Sequence, residues 1–205
     1  MNKTIYMMIR AIVWALYKLI FWIRLEGKEN LPEGDGMLFC SNHLSNLDPP
    51  TVAVMVPRKL RFLAKEELFH SKPFAWLIRH LGATPITRGG ADVSAVKTCI
   101  RILRGGENLL MFPQGTRRET LREKDVKPGA LVIAQRSNVP IVPVAICGKY
   151  RPFSRMKVKI GKCITQEEVR RITENETVTD KMEALRHLLY ERMAALMEGD
   201  GNLAK

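Results

Sequence analysis

Apolar positions along this chain fall into one long run followed by many short ones. From Ile5 to Ile23 the segment IYMMIRAIVWALYKLIFWI carries 17 apolar or aromatic residues in 19, interrupted only by Arg10 and Lys18, which predicts a continuous apolar helix. After Arg24 the runs shorten and turn residues separate them. LPEGDG at 31–36 is a turn that delivers the chain into MLFCS at 37–41, a buried strand. Asp48-Pro49-Pro50 reads as an N-cap followed by proline in the first turn of a helix reaching about Val56. A strand near Arg61–Ala64 precedes helical turns across Glu66–His80. Val93, Val96, Ile100 and Leu103 stand at helical spacing before Gly105-Gly106. LLMF at 109–112 and IVPVAI at 141–146 are further strands, with a helix over Gly129–Ser137 between them. Thr179–Glu198 closes the chain as an amphipathic helix with Met182, Leu185, Leu189, Met193 and Leu196 on one side.

Strands and helices alternate, which predicts an α/β fold with a mixed, partly parallel sheet flanked by helices. No repeat and no boundary is visible after residue 30, so the organisation expected is an N-terminal helix over 1–26 and one domain over 27–205.

Charge changes the picture of the first segment. Thirty-three Lys and Arg against 21 Asp and Glu leave a net charge of +12, so an anionic partner is expected: nucleic acid, lipid headgroups or a phosphorylated substrate. On a helical wheel Lys3, Arg10 and Lys18 fall within about 80° of one another, a basic stripe on a greasy cylinder that suits a helix lying in a bilayer interface. A single span is the alternative, since each charge lies roughly 7–8 Å from a helix end, close enough to snorkel. The expected location is the cytoplasmic face of the cell membrane, peripheral or monotopic. Cys40, Cys99, Cys147 and Cys163 form no C-x-x-C pair and read as reduced thiols of a cytosolic setting.

In α/β folds functional loops collect after strands. The first such loop, Asn42 to Asp48, holds a histidine and an aspartate five residues apart. A neutral imidazole is the natural base near pH 7, and a carboxylate on its far nitrogen would fix the tautomer; from spacing alone a structural pairing of a capping Asp with a half-buried His is the commoner reading. The loop Phe112-Pro113-Gln114-Gly115-Thr116-Arg117-Arg118 combines a glycine, a hydroxyl and a guanidinium fork, the makings of a phosphate cradle or of a plain basic turn. Gly82 to Arg88 again ends an apolar stretch on an arginine. His70, His80 and His187 have no acid or cysteine at ligand spacing and read as structural.

Together these blocks resemble the glycerolipid acyltransferase family. Asn42-His43 through Asp48 is similar to its N-H-x4-D block, Gly82 through Arg88 to the second, Phe112 through Arg118 to F-P-E-G-T-R-S, and Val139 through Val144 to the proline-containing fourth; Lys65 resembles a basic position between the first two. Gln114 stands in place of the usual Glu and Arg118 in place of Ser. The resemblance covers about residues 25 to 160. It implies transfer of a fatty acyl group from acyl-CoA or acyl carrier protein to the free hydroxyl of lysophosphatidate, giving phosphatidate at a membrane surface, with no cofactor and no metal. It further implies His43 as general base oriented by Asp48, and Lys65, Arg88, Gln114, Gly115, Thr116 and Arg117 as substrate-binding residues.

The alternatives are another lysolipid or glycerol 3-phosphate as acceptor, a covalent acyl-enzyme on Cys40 or Ser45, or a non-catalytic basic module for membrane or nucleic acid. No helix-turn-helix and no interleaving of aromatic with basic positions favours nucleic acid, so no nucleic-acid partner is expected.

Overall fold

The apolar run folds as helix α1, Lys3–Phe21, in a computed structural model that describes residues 3–86 and 93–200. Tyr6, Ile9 and Phe21 are buried against the body, whereas Met8, Ile12, Leu16 and Leu19 are 49–67% exposed along the other side. Of the expected basic stripe, Lys18 is exposed and Arg10 is not. Arg10 turns inward and donates from Nη2 to the carbonyl of Val56, 2.8 Å away, because a guanidinium next to an unpaired carbonyl at a helix end finds an acceptor there. Lys18 lies over the ring of Trp14, 5.0 Å from its centroid.

The remaining elements are β1 (Arg24–Glu26), β2 (Leu38–Ser41), α2 (Asp48–Met55), β3 (Leu60–Lys65), α3 (Lys72–His80), β4 (Ala83–Ile86), α4 (Val93–Arg104), β5 (Asn108–Met111), α5 (Gly129–Ser137), β6 (Ile141–Cys147), β7 (Lys157–Ile160), α6 (Gln166–Glu174) and α7 (Lys181–Met197). The seven strands form one sheet in the order β1-β7-β6-β2-β5-β3-β4. Strands β6, β2, β5, β3 and β4 run parallel, with register pairs Phe39↔Val142, Phe39↔Leu110, Phe62↔Leu110 and Phe62↔Ala83. β7 returns antiparallel to β6, and β1 pairs parallel with β7 at the edge. The mixed, partly parallel sheet expected from the alternation is therefore present.

Each strand feeds two cores because successive side chains point to opposite faces. Val142, Val144 and Ile146 of β6 join Phe39, Phe62 and Leu110 beneath α1, α2 and α3. Ile141, Ala145 and Cys147 join Leu38 and Leu109 beneath α4, α5 and α7. The strands in the middle are consequently apolar on both sides, which is why they read as unbroken apolar runs.

Four elements were not foreseen. β1 is three residues long, β4 contains a proline, β7 alternates Lys157-Val158-Lys159-Ile160 at the antiparallel turn, and α6 is short and strongly polar. The helix expected over Glu66–His80 is divided into a 3₁₀ turn at Glu66–Phe69 and α3, with Ser71 extended between them; Pro73 fits the first turn of α3, whereas inside a longer helix it would remove a hydrogen bond and clash with the turn before it.

Candidate active site

The C-terminal ends of five parallel strands lie on one edge of the sheet, and the first and third sequence blocks lead out from it, after β2 and β5. β2 runs into Asn42-His43. The Asn42 side chain continues the ladder: its Nδ2 donates to the carbonyl of Ile146 at 2.9 Å and its Oδ1 accepts from the Ile146 N–H at 2.7 Å. A primary amide presents one donor and one acceptor like a peptide group, so it extends β2 against β6 for one more step and fixes where His43 departs. The spacing had marked Asn42 only as part of a block; no periodicity signals this use.

His43 Nδ1 lies 2.7 Å from Asp48 Oδ2. A carboxylate only accepts, so the ring proton sits on Nδ1 and Nε2 is left as the basic nitrogen. The same Oδ2 accepts the backbone N–H groups of Leu44, at 2.5 Å, and Ser45, at 2.7 Å. Asp48 was expected as the N-cap of α2. Instead Leu47 flanks the helix and Asp48 is its first residue, followed by two prolines. Pro49 and Pro50 carry no N–H, so the first turn presents little for a cap to satisfy and the carboxylate is free to fold back on the loop. Asp48 is fully buried and His43 half-buried. The imidazole stacks on Phe112 with centroids 4.2 Å apart.

Asp48 Oδ1 is buried without a hydrogen-bond partner. Beneath it, Tyr150 donates from its hydroxyl to Thr51 Oγ1 at 2.9 Å, and Thr51 donates to the Leu47 carbonyl at 2.6 Å. Burial first, and the Asp48 carboxylate second, push the Tyr150 hydroxyl well above the usual tyrosine range, so it stays a donor. Its ring meets Phe21 of α1 edge-on at 5.4 Å.

The second loop folds onto the first. Gln114 is 2% exposed; its Oε1 accepts from the His43 N–H at 2.9 Å and its Nε2 donates to the Thr120 carbonyl at 3.3 Å. The Arg118 N–H donates to the His43 carbonyl at 2.8 Å, and the Arg118 side chain pairs with Asp125 at 3.3 Å. The histidine backbone is thus held on both sides by this loop. Gly115 closes the turn on the Phe112 carbonyl at φ 69°, a conformation that favours glycine. Gly115, Thr116 and Arg117 are exposed, and among the described residues Arg117 pairs with no acid. Lys127 packs against Gly115, its Nζ 3.1 Å from where a Cβ would stand, a second cation beside the turn that no block had flagged.

Lys65 ends β3 on the same edge, exposed and in register with Ile86 of β4. With one strand between β3 and β2, it lies roughly 10 Å across the sheet from the histidine strand at ordinary strand spacing. Arg88 lies outside the described residues. The structure therefore brings His43, Asp48 and Gln114 into one hydrogen-bonded unit and sets Gly115, Thr116 and Arg117 at its rim.

Cys40 is fully buried among the side chains under α4 and α5, and burial pushes its thiol far above the usual range, which removes it as a nucleophile beside the imidazole. Ser45 accepts at Oγ from the Leu47 N–H. His187, expected to lack acidic partners, meets Glu123 at 2.8 Å and Glu191 at 3.3 Å on the surface; the Glu123 contact spans 64 positions, beyond the reach of any spacing rule.

Residues 22–147 match the family model described as Acyltransferase. The chain is 31% identical over 175 residues to a 1-acyl-sn-glycerol-3-phosphate acyltransferase of Bacillus subtilis, covering 82% of this chain and 87% of that one. It is 31% identical over 165 residues to a protein of the same description from Streptococcus pneumoniae, covering 76% of this chain and 61% of the relative. Among solved structures, the 1-acyl-sn-glycerophosphate (LPA) acyltransferase PlsC of Thermotoga maritima shares the fold, with TM-score 0.73 and 24% identity over 99% of this chain and 81% of that one.

Proposed function

This chain belongs to the acyltransferase family, and from that premise we propose that it acylates lysophosphatidate to phosphatidate, drawing the acyl group from acyl-CoA or acyl carrier protein. The observation that carries the reading is the convergence of His43 Nδ1 and two backbone N–H groups on Asp48 Oδ2, which leaves Nε2 as the basic nitrogen of a ring held in place.

A thioester is already activated, so the enzyme's work is to hold the alcohol against the carbonyl and remove its proton. His43 Nε2 takes that proton as the oxygen attacks. The tetrahedral intermediate collapses with cleavage of the C–S bond, and the imidazolium returns the proton to the departing thiolate. Asp48 stabilises the imidazolium in between. Proton transfer of this kind contributes about 10²–10⁴-fold. Arg117, Lys65 and Arg88 bind the phosphate of the acceptor, with Thr116 and the backbone at Gly115 completing the cradle. Gln114 serves this site from behind, by bracing His43, and makes no contact with the acceptor.

α1 seats the enzyme on the bilayer where both lysolipid and product reside. Tyr6 in its first turn and Phe21 in its last are both buried against the protein, so it lies alongside the body with its exposed apolar side in the cytoplasmic leaflet. Residues 1–26 act as the seat and 27–205 as the catalytic domain.

Three substitutions at the site have distinct expected outcomes. Arg117→Ala is expected to raise KM for lysophosphatidate about 10- to 100-fold with kcat within a few-fold of wild type, the loss of one charge-assisted contact; initial rates against acceptor concentration measure it. Gln114→Leu is expected to lower kcat roughly 10- to 100-fold while leaving the acceptor KM in place, because the orphaned His43 N–H costs about 1–3 kcal/mol and lets the ring shift. Gln114→Glu keeps the acceptor for that N–H and is expected to keep the acceptor preference. The reading as a whole is tested by offering labelled acyl donors with lysophosphatidate, glycerol 3-phosphate and neutral lysolipids: lysophosphatidate is expected to be esterified fastest, and preference for a neutral lysolipid contradicts it.

A further inference from the structure

Two bulky residues hold left-handed backbone conformations and touch each other on the surface. Trp22 has φ 41° and Phe153 φ 60°, a region that side chains of this size rarely occupy and that persists where the surroundings impose it. Both are exposed, at 52% and 68%, and their rings meet edge-on with centroids 6.4 Å apart. Trp22 follows directly on the last turn of α1. Phe153 lies in the loop between β6 and β7 and is tied to that turn by its N–H, which donates to the Ile20 carbonyl at 2.6 Å. The strained backbone thus turns two aromatic rings out together where folding alone would bury them or do without them. Lys149, Arg151 and Arg155 flank Phe153 in the sequence of the same loop, and Arg24 follows two positions after Trp22, all four exposed.

We propose that the β6–β7 loop is a second bilayer-contacting element, in which Phe153 and Trp22 enter the headgroup region as a pair and the flanking basic side chains bind anionic lipid. It rests on the reading of α1 as an interfacial helix, and it extends that surface past the end of the helix. Aromatic rings that are apolar across the face and tolerate a wet edge belong at this depth of a membrane, and positive charge beside them matches an anionic leaflet. The loop also faces the site from its inner side, where Tyr150 braces Thr51 under Asp48.

Co-sedimentation of the full chain with vesicles tests this, using pure phosphatidylcholine and a roughly equal mixture with phosphatidylglycerol. Phe153→Gly is expected to bind the mixed vesicles about tenfold more weakly, with a thermal midpoint equal to or above wild type because glycine tolerates the positive φ. Arg151→Gln/Arg155→Gln is expected to reduce the preference for the anionic vesicles roughly 10- to 30-fold. The proposal is overturned if both variants sediment like wild type, or if vesicle binding is intact while only transfer from acyl carrier protein falls, which makes the loop a protein-docking site. Leu16→Asp/Leu19→Asp separates the two readings. If it detaches while the loop variants stay bound, the loop proposal alone fails; if it too stays bound, the reading of α1 fails.

Discussion

Replacing His43 by alanine is expected to lower acyl transfer at least about 10³-fold while leaving attachment to vesicles unchanged. Alanine removes the only group in the proposed chemistry that accepts the alcohol proton, and general-base catalysis alone accounts for about 10²–10⁴ in rate. The ring also packs on Phe112, and its loss opens a gap beside the thioester carbonyl, adding misplacement to the missing base. The backbone that carries residue 43 is anchored independently, by Gln114 on its N–H and by Arg118 on its carbonyl, so the loop keeps its course and the loss is chemical. Initial rates of labelled phosphatidate formation measure it. Turnover within a few-fold of wild type ends the assignment.

Asp48→Asn carries the second-largest effect, a fall in kcat of roughly 10²–10⁴-fold at neutral pH with little change in the acceptor KM. One carboxylate oxygen now accepts three donors: the ring Nδ1–H and the N–H groups of Leu44 and Ser45. Asparagine has one oxygen and one NH₂. If its oxygen keeps the two backbone N–H groups, its NH₂ is left to face the imidazole and donates to Nδ1. The ring proton then moves to Nε2, and the nitrogen that faces substrate becomes a donor in place of a base. The imidazolium formed during turnover also loses its counter-charge. Because this change is remote from the phosphate cradle, a rise in KM without a fall in kcat contradicts the role given to Asp48.

The parts of the fold that were legible are those whose physics is local. α5 falls on the residues expected, and β6 extends the expected strand by one residue, because long apolar runs in a parallel sheet are buried on both faces. The His43–Asp48 pairing was legible because a loop of five residues can close on itself. What pairs across the chain was not. Asn42 reaches Ile146 over 104 positions and Gln114 reaches His43 over 71; neither leaves a periodic trace. Gln114 was expected among the groups that touch substrate, whereas its amide is buried with both ends on backbone, a role suited to a side chain that donates and accepts at once. Arg10 failed as a surface charge since a wheel diagram knows nothing of the Val56 carbonyl beside it. β1 and β7 were missed because strands of three and four residues carry too few side chains to set a pattern, and α6 because its capping box, Thr165 with Glu168, opens a helix with little apolar surface. Lys127 became visible as a neighbour of Gly115 only once the turn had closed.

Direct transfer from thioester to lipid is tested most sharply by the mass of the intact protein. The chain is incubated with a labelled acyl thioester, first alone and then with lysophosphatidate. The account predicts an unmodified protein in the first case and labelled phosphatidate in the second, with His43→Ala staying unmodified and making no phosphatidate. A stoichiometric acylated protein in the absence of acceptor, chased into product when lysophosphatidate is added, contradicts it.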